Sequence, residues 1–213
     1  MFDFLDMGTL IYRAPALLIA MALHEYAHAY VSDSLGDPTP RMQGKLSANP
    51  LVHLDPMGLM LLVLCGFGWA KPVEINPNHY KDFRSGVMKV SFAGPGMNLL
   101  ICFLAECIMM VMLKFGLLTM GQPGYYLLYW IMLYNVWFAF FNLIPIPPLD
   151  GSKIVEMILP GKLAWAFHSF SYRYSFLLLM LLVFTGVTGR IISPLSRLYT
   201  GVTMTFLSSV LNF

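Results

Sequence analysis

An uninterrupted apolar run, Ala14-Pro15-Ala16-Leu17-Leu18-Ile19-Ala20-Met21-Ala22-Leu23, leads directly into His24-Glu25-Tyr26-Ala27-His28. This junction constrains the fold more than any other stretch. Ionisable side chains on a helix of this kind must face a bundle interior or a polar cavity, because lipid offers them no partner. Residues i and i+4 of a helix share one face, so both imidazoles can reach one metal ion. Glu25 lies about 100° around the helix from His24, where a carboxylate can reach a water held by that ion. The stretch predicts the catalytic core of a membrane-embedded metalloprotease.

Composition sets the class. Of 213 residues, 58% are hydrophobic and 11% are charged, against about 25% charged in a soluble domain. Few loops are long enough to fold in water. The prediction is an all-α polytopic membrane protein, a single integral-membrane domain over residues 1–213. The net charge is +2 and no dense Lys/Arg run marks a nucleic-acid surface. The first apolar segment has no small-residue cleavage site before His24, and a removable signal peptide would discard the motif, so it is expected to be retained. Cys65, Cys102 and Cys107 lie in apolar segments without a CxxC pair, and are expected as buried thiols.

Hydropathy places spans at Gly8–Val31, Val90–Leu113 and Tyr125–Ile144, which form a three-span core. A further span is expected from Tyr174 to Gly189 or Ile192. Leu198–Phe213 is either another crossing or an interfacial helix, giving one or two C-terminal spans. Met57–Ala70 is glycine-rich and shorter than the roughly 20 residues a straight crossing takes, so a re-entrant element is expected. Trp69–Pro77 reads as an extended strand or strand pair bounded by prolines, and its Lys71–Pro77 part offers an edge that could receive an unwound substrate. Leu35-Gly36-Asp37-Pro38-Thr39-Pro40 should end the first helix, and Pro145-Ile146-Pro147-Pro148 should break the span before it.

If the first helix runs from outside to inside, the inside loops hold Arg41, Lys45, Lys71, Lys81, Arg84, Lys89, Lys153, Lys162 and Arg173. Only Arg13, Lys114, Arg190 and Arg197 remain for the outside or the ends. The positive-inside rule favours that orientation. It carries His24, Glu25 and His28, and the proline break with them, towards the cytoplasmic side.

A catalytic zinc takes three protein ligands and keeps one position open. His24 and His28 supply two. His79 and His168 are expected in charged loops, and His53 lies in Leu51-Val52-His53-Leu54-Asp55-Pro56. Asp150 is the most suggestive acid, because it follows the proline break and precedes Gly151. Irregular backbone at membrane depth is tolerated only against protein or a water-filled cavity.

With these motifs in place, the chain resembles the site-2 protease family of intramembrane zinc metalloproteases, in its compact bacterial form without a PDZ domain. His24-Glu25-x-x-His28 matches the first family motif and Leu149-Asp150-Gly151 the second. Ala93-Gly94-Pro95-x-x-Asn98, Asn49 to Pro56, and Phe67-Gly68-Trp69-Ala70-Lys71-Pro72-Val73 also resemble it, so the likeness runs over nearly the whole chain. It implies that His24, His28 and Asp150 bind Zn2+ and that Glu25 activates the water. It further implies that Asn142, just before the break, hydrogen-bonds substrate backbone or the developing oxyanion. The expected activity is hydrolysis of a peptide bond in or beside the transmembrane segment of another membrane protein. The expected setting is the bacterial plasma membrane, with the lipid bilayer, a transmembrane substrate and a regulatory membrane protein as partners, and no nucleic acid.

Blander roles compete for individual residues. Asn98 serves interhelical hydrogen bonding as well as it serves chemistry. His53 is expected to fix a loop, His79 and His168 to be solvated, and Glu106 to make a buried polar contact or face a pore. Tyr125, Tyr126, Tyr129 and Trp130 read as an interfacial belt. The rival functions are a metal transporter or channel, for which Glu25 has no task, and a catalytically silent adaptor, at odds with an intact ligand set.

Overall fold

The computed structural model describes residues 7–58 and 71–212. Helix α1 spans Met7–Ser34, and α2 (Thr39–Met42) and α3 (Pro50–His53) are single turns. After a 3-10 turn at Pro77–His79 come α4 (Phe83–Lys114) and α5 (Pro123–Asn142). The C-terminal part comprises α6 (Asp150–Ile158), α7 (Gly161–Arg173), α8 (Ser175–Phe184) and α9 (Val187–Leu211). The described residues form no β-strand.

Helices α1, α4 and α5 pack mutually, each against both others, and α9 lies on α4 and α5. Cys102, Ala105 and Met109 of α4 meet Met132 and Val136 of α5 in the central apolar cluster. A second cluster joins Ile144 and Leu149, around the proline break, to Leu182 and Ile192. Arg13 ties α1 to α5, its Nε donating to the Tyr134 hydroxyl at 2.9 Å and its guanidinium lying 5.2 Å over the Trp130 ring. Trp130 is therefore buried against a cation rather than facing an interface as expected. Cys102 and Cys107 are free thiols; Cys102 is buried as expected, Cys107 is only half-buried, and Cys65 lies outside the described residues.

Several boundaries differ from the sequence expectation. Helix α4 begins at Phe83, a full two turns before Val90, because the Asp82 carboxylate accepts the Ser85 N–H at 3.2 Å and caps the helix there. The span expected from Tyr174 is a short helix, Ser175–Phe184, bent by 68° from α7. Gly186, at φ 69°, then turns the chain into α9, so the tail from Leu198 is the second half of one long helix. The loop expected around His168 is instead helix α7, and His168 Nδ1 lies 3.1 Å from Glu156 Oε1. Helix α4 is the described helix that is by itself long and apolar enough to cross a membrane, and α7 with α8 pass that test as a bent pair.

The expected re-entrant element, Met57–Ala70, lies outside the described residues except for its first two. The strand expected at Trp69–Pro77 is, from Lys71 on, an irregular segment, and its hydrogen bonding explains why. Pro72 and Pro77 have no N–H to give a ladder. The Lys71 N–H goes to His53 O at 2.8 Å, the Val73 N–H to Glu25 Oε2 at 2.9 Å and the Asn76 N–H to Asp37 Oδ2 at 2.7 Å. The segment is held by acceptors of α1 and its neighbours instead of by another strand.

Asp37 is the anchor of that arrangement. Fully buried, it accepts the Ser32 hydroxyl at 2.8 Å, the Thr39 N–H at 3.0 Å and the Thr39 hydroxyl at 2.5 Å. His79 Nδ1 approaches Oδ1, the oxygen that also accepts from Thr39, at 3.3 Å. Burial pushes the Asp37 carboxyl up, but the bonds from Thr39, Asn76 and Ser32 outweigh it and hold the group below its usual range. A carboxyl lowered on folding stabilises the fold above its unfolded pKa, and that contribution is lost as pH falls through the folded value. Melting temperatures of wild type and Asp37→Asn should therefore differ near neutral pH and converge below about pH 4. A gap that stays constant across that range contradicts the anchor role.

Candidate metal centre

Three side chains from two distant parts of the chain converge beside α4. His24 and His28 stand one turn apart on α1, and Asp150 is the first residue of α6. The two Nε2 atoms are 3.0 Å apart. Asp150 Oδ2 is 3.2 Å from His24 Nε2 and 3.1 Å from His28 Nε2. All three residues are buried. Among the described residues, they form a group of donors that can hold one metal ion.

The donor set fits zinc. Zn–N and Zn–O bonds of about 2.0–2.2 Å in a tetrahedron keep ligand atoms roughly 3.3–3.5 Å apart. The triangle here has edges of 3.0 to 3.2 Å. Each imidazole also points the right nitrogen inward. His28 Nδ1 lies 2.7 Å from the Val90 carbonyl, which can only accept, so Nδ1 carries the proton and Nε2 keeps its lone pair. His24 Nδ1 lies 2.6 Å from Asn98 Oδ1. The Phe138 ring packs edge-on to His24 at 5.1 Å.

Two glycines make the convergence sterically possible. A Cβ on Gly94 would lie 2.5 Å from His28 Nε2 and 2.6 Å from His24 Nε2, so α4 can pass this close to both donors only where it has no side chain. A Cβ on Gly151 would lie 2.1 Å from the Leu143 carbonyl oxygen and 2.7 Å from that of Ile144. The first turn of α6 is thereby seated on the end of α5, which fixes where Asp150 points. At its other end α6 is held to α4 by Arg84, whose guanidinium donates to the carbonyls of Met157 and Leu159. Lys153 Nζ stands 3.7 Å from Asp150 Oδ1, the carboxylate oxygen turned away from the imidazoles.

Other sequence-predicted residues take distinct places. Glu25 is half-buried next to the triangle, with Oε2 occupied by the Val73 N–H. Asn142 ends α5 and donates from Nδ2 to Phe138 O at 2.9 Å. His53 is buried away from the triangle, its Nε2 2.8 Å from Ser47 O, and it holds the loop as expected. His79 pairs with Asp37. Glu106 is fully buried, with the Cys102 thiol 3.8 Å from Oε1. Sequence reasoning passed over Asn135, which is fully buried and accepts from Asn98. An asparagine inside an apolar run was the signal that could have flagged it. It also gave Gly94 no task and did not connect Val73 with Glu25.

Comparison with known proteins agrees with this geometry. A model of Peptidase family M50 matches residues 118–182, which include Asn142 and Asp150. A Bacillus subtilis protein named "Putative zinc metalloprotease YwhC" is 35% identical over 189 residues, covering 86% of this chain and 85% of that protein. The chain belongs to peptidase family M50. The resemblance to site-2 proteases is thereby borne out, and the family supports a metalloprotease. This M50 chain is also 27% identical over 193 residues to "Putative zinc metalloprotease Rip2" of Mycolicibacterium smegmatis, covering 86% of the chain and 70% of that protein. "Zinc metalloprotease MJ0392" of Methanocaldococcus jannaschii is 26% identical over 146 residues, 68% of this chain and 34% of its own length. No solved structure matches the chain.

The packing of Gly94 gives a direct test. Gly94→Ala should leave the helical content intact, since alanine favours a helix by up to about 1 kcal/mol over glycine. The added methyl should displace one or both imidazoles and lower zinc affinity at least about tenfold. Zinc titration against a competing chelator measures this, and unchanged affinity would show that α4 does not approach the donors so closely.

Proposed function

We propose that this M50 chain is an intramembrane zinc metalloprotease that hydrolyses a peptide bond in or near the transmembrane segment of another membrane protein. The observation that carries the proposal is the triangle of His24 Nε2, His28 Nε2 and Asp150 Oδ2, with Glu25 beside it on α1. Zinc held by these three residues supplies a Lewis acid that acidifies water and polarises a peptide carbonyl. Asp150 brings the negative charge that partly neutralises a dication in a low-dielectric site. Glu25 takes the proton of the attacking water and passes it to the leaving amine. Asn142 has a second amide N–H and an amide oxygen for the substrate backbone or the oxyanion.

A membrane setting with α1, α4 and α5 as a three-span core accounts for what is inside and what is outside. Buried in the described structure are Asn98, Asn135, Glu106, His24 and His28, while Leu100, Leu104 and Ile108 form an exposed stripe along α4. Leu198, Val202, Phe206 and Val210 form another along α9. Apolar stripes of this length are unfavourable in water and ordinary against lipid. The polar residues Arg13, His24 and His28 of α1 and Asn135 and Asn142 of α5 lower mean hydropathy without preventing a crossing, because they are buried against their neighbours. The distribution of Lys and Arg favours a multi-pass arrangement in a bacterial plasma membrane with the site towards the cytoplasm. A substrate helix must partly unwind there before its peptide bond is accessible. The bilayer, the substrate and a regulatory membrane protein are the partners, and nucleic acid is not one.

Two variants test the proposal together. Detergent-purified wild type should hold zinc near one ion per chain by elemental mass spectrometry, and Asp150→Ala should lose most of it. Glu25→Gln should keep the zinc and lose proteolysis of a transmembrane substrate by at least about 100-fold. Zinc unaffected by Asp150→Ala would break the three-donor site. Full cleavage by Glu25→Gln would remove the general base, and zinc transport surviving in that variant would favour a transporter.

A further inference from the structure

A chain of fully buried amides lies behind His24. Asn98 of α4 and Asn135 of α5 are both fully buried. Asn98 Nδ2 donates to the Ala20 carbonyl of α1 at 2.9 Å and to Asn135 Oδ1 at 2.9 Å. Asn135 Nδ2 donates to the Ile131 carbonyl at 2.8 Å. Asn98 Oδ1 faces His24 Nδ1 at 2.6 Å.

Amide oxygen and nitrogen usually cannot be told apart by shape, but here both ends of the chain are fixed by groups with one role. The carbonyls of Ala20 and Ile131 only accept. Ile131 fixes Asn135 with nitrogen towards it, which leaves Asn135 Oδ1 towards Asn98. Ala20 and Asn135 Oδ1 then both require a donor from Asn98, so its nitrogen points to them and its oxygen to His24. A neutral imidazole facing that oxygen must place its proton on Nδ1. The lone pair is then on Nε2, the atom that faces His28 and Asp150.

From this we infer that Asn98, oriented by Asn135, is a positioning residue that sets the tautomer and ring direction of His24 for metal binding. The inference rests on the zinc site proposed above. It also explains a polar residue from each of two helices where no water is needed. An apolar residue at Asn98 would leave the His24 N–H buried and unpaired, or let the ring turn its proton to Nε2, where no metal can bind. His28 reaches the same state through a backbone carbonyl, which substitution cannot remove; His24 depends on a side chain.

The test uses full-length protein in detergent, with zinc affinity read against a competing chelator and with helical content and melting recorded for the metal-free form. Asn98→Leu should fold and bind zinc about 10–100-fold more weakly. Asn98→Asp keeps an oxygen acceptor towards His24 and, as a neutral carboxylic acid, one donor for Ala20 or Asn135, and should bind zinc more tightly than Asn98→Leu. A folded Asn98→Leu that binds zinc as tightly as wild type overturns the inference while leaving the zinc site standing. A wild type that binds no zinc overturns the proposed function, and the inference falls with it. Should Asn98→Leu not fold, 15N spectra of histidine-labelled, metal-free wild type decide the matter. Protonation of His24 at Nδ1 is expected, and the Nε2–H form refutes the inference.

Discussion

The packing of α1, α4 and α5 turns on one buried side chain that is satisfied at both ends. His24 is bonded through Nδ1 to Asn98 and faces His28 and Asp150 through Nε2. In a low-dielectric interior a polar group without a partner is destabilising by several kcal/mol. The helices must therefore meet in the register that pairs it. Apolar contacts alone, such as those of Cys102, Ala105, Met132 and Val136, tolerate sliding by a turn much more readily. The polar junction fixes the register and the apolar cluster fills around it. Gly94 then sets how near α4 can come.

Much of this was legible in the sequence, for reasons that are local. The spacing of His24 and His28 is a property of the helix itself, so the pattern and its apolar context placed two donors on one face without any tertiary knowledge. Asp150 was legible because a proline break followed by an acid and a glycine at membrane depth has few benign explanations. Helix α1, α5 and the main part of α4 were read from their apolar runs, and Leu35 to Pro40 does end α1, at Ser34.

What stayed hidden depends on partners distant in the chain. Nothing around Asn135 announces that it orients Asn98, since the two meet only when α4 and α5 pack. The segment after Lys71 has the proline and β-branched content of a strand, yet its N–H groups are taken by Glu25 and Asp37 on or just after α1. Local propensity cannot register acceptors supplied from elsewhere. The early start of α4 hung on a single capping aspartate, and the fusion of the tail into α9 on one left-handed glycine. Both are short-range features that hydropathy does not see.

The donor set is divided between the first helix and a short helix formed much later in the chain. Synthesis runs from the N-terminus, so both imidazoles leave the ribosome well before Asp150 does. Until α6 is seated on α5 and clamped by Arg84, the growing chain carries two of the three metal ligands and lacks the anionic one. A centre assembled in this order cannot bring its three donors together until the chain has been made past α6.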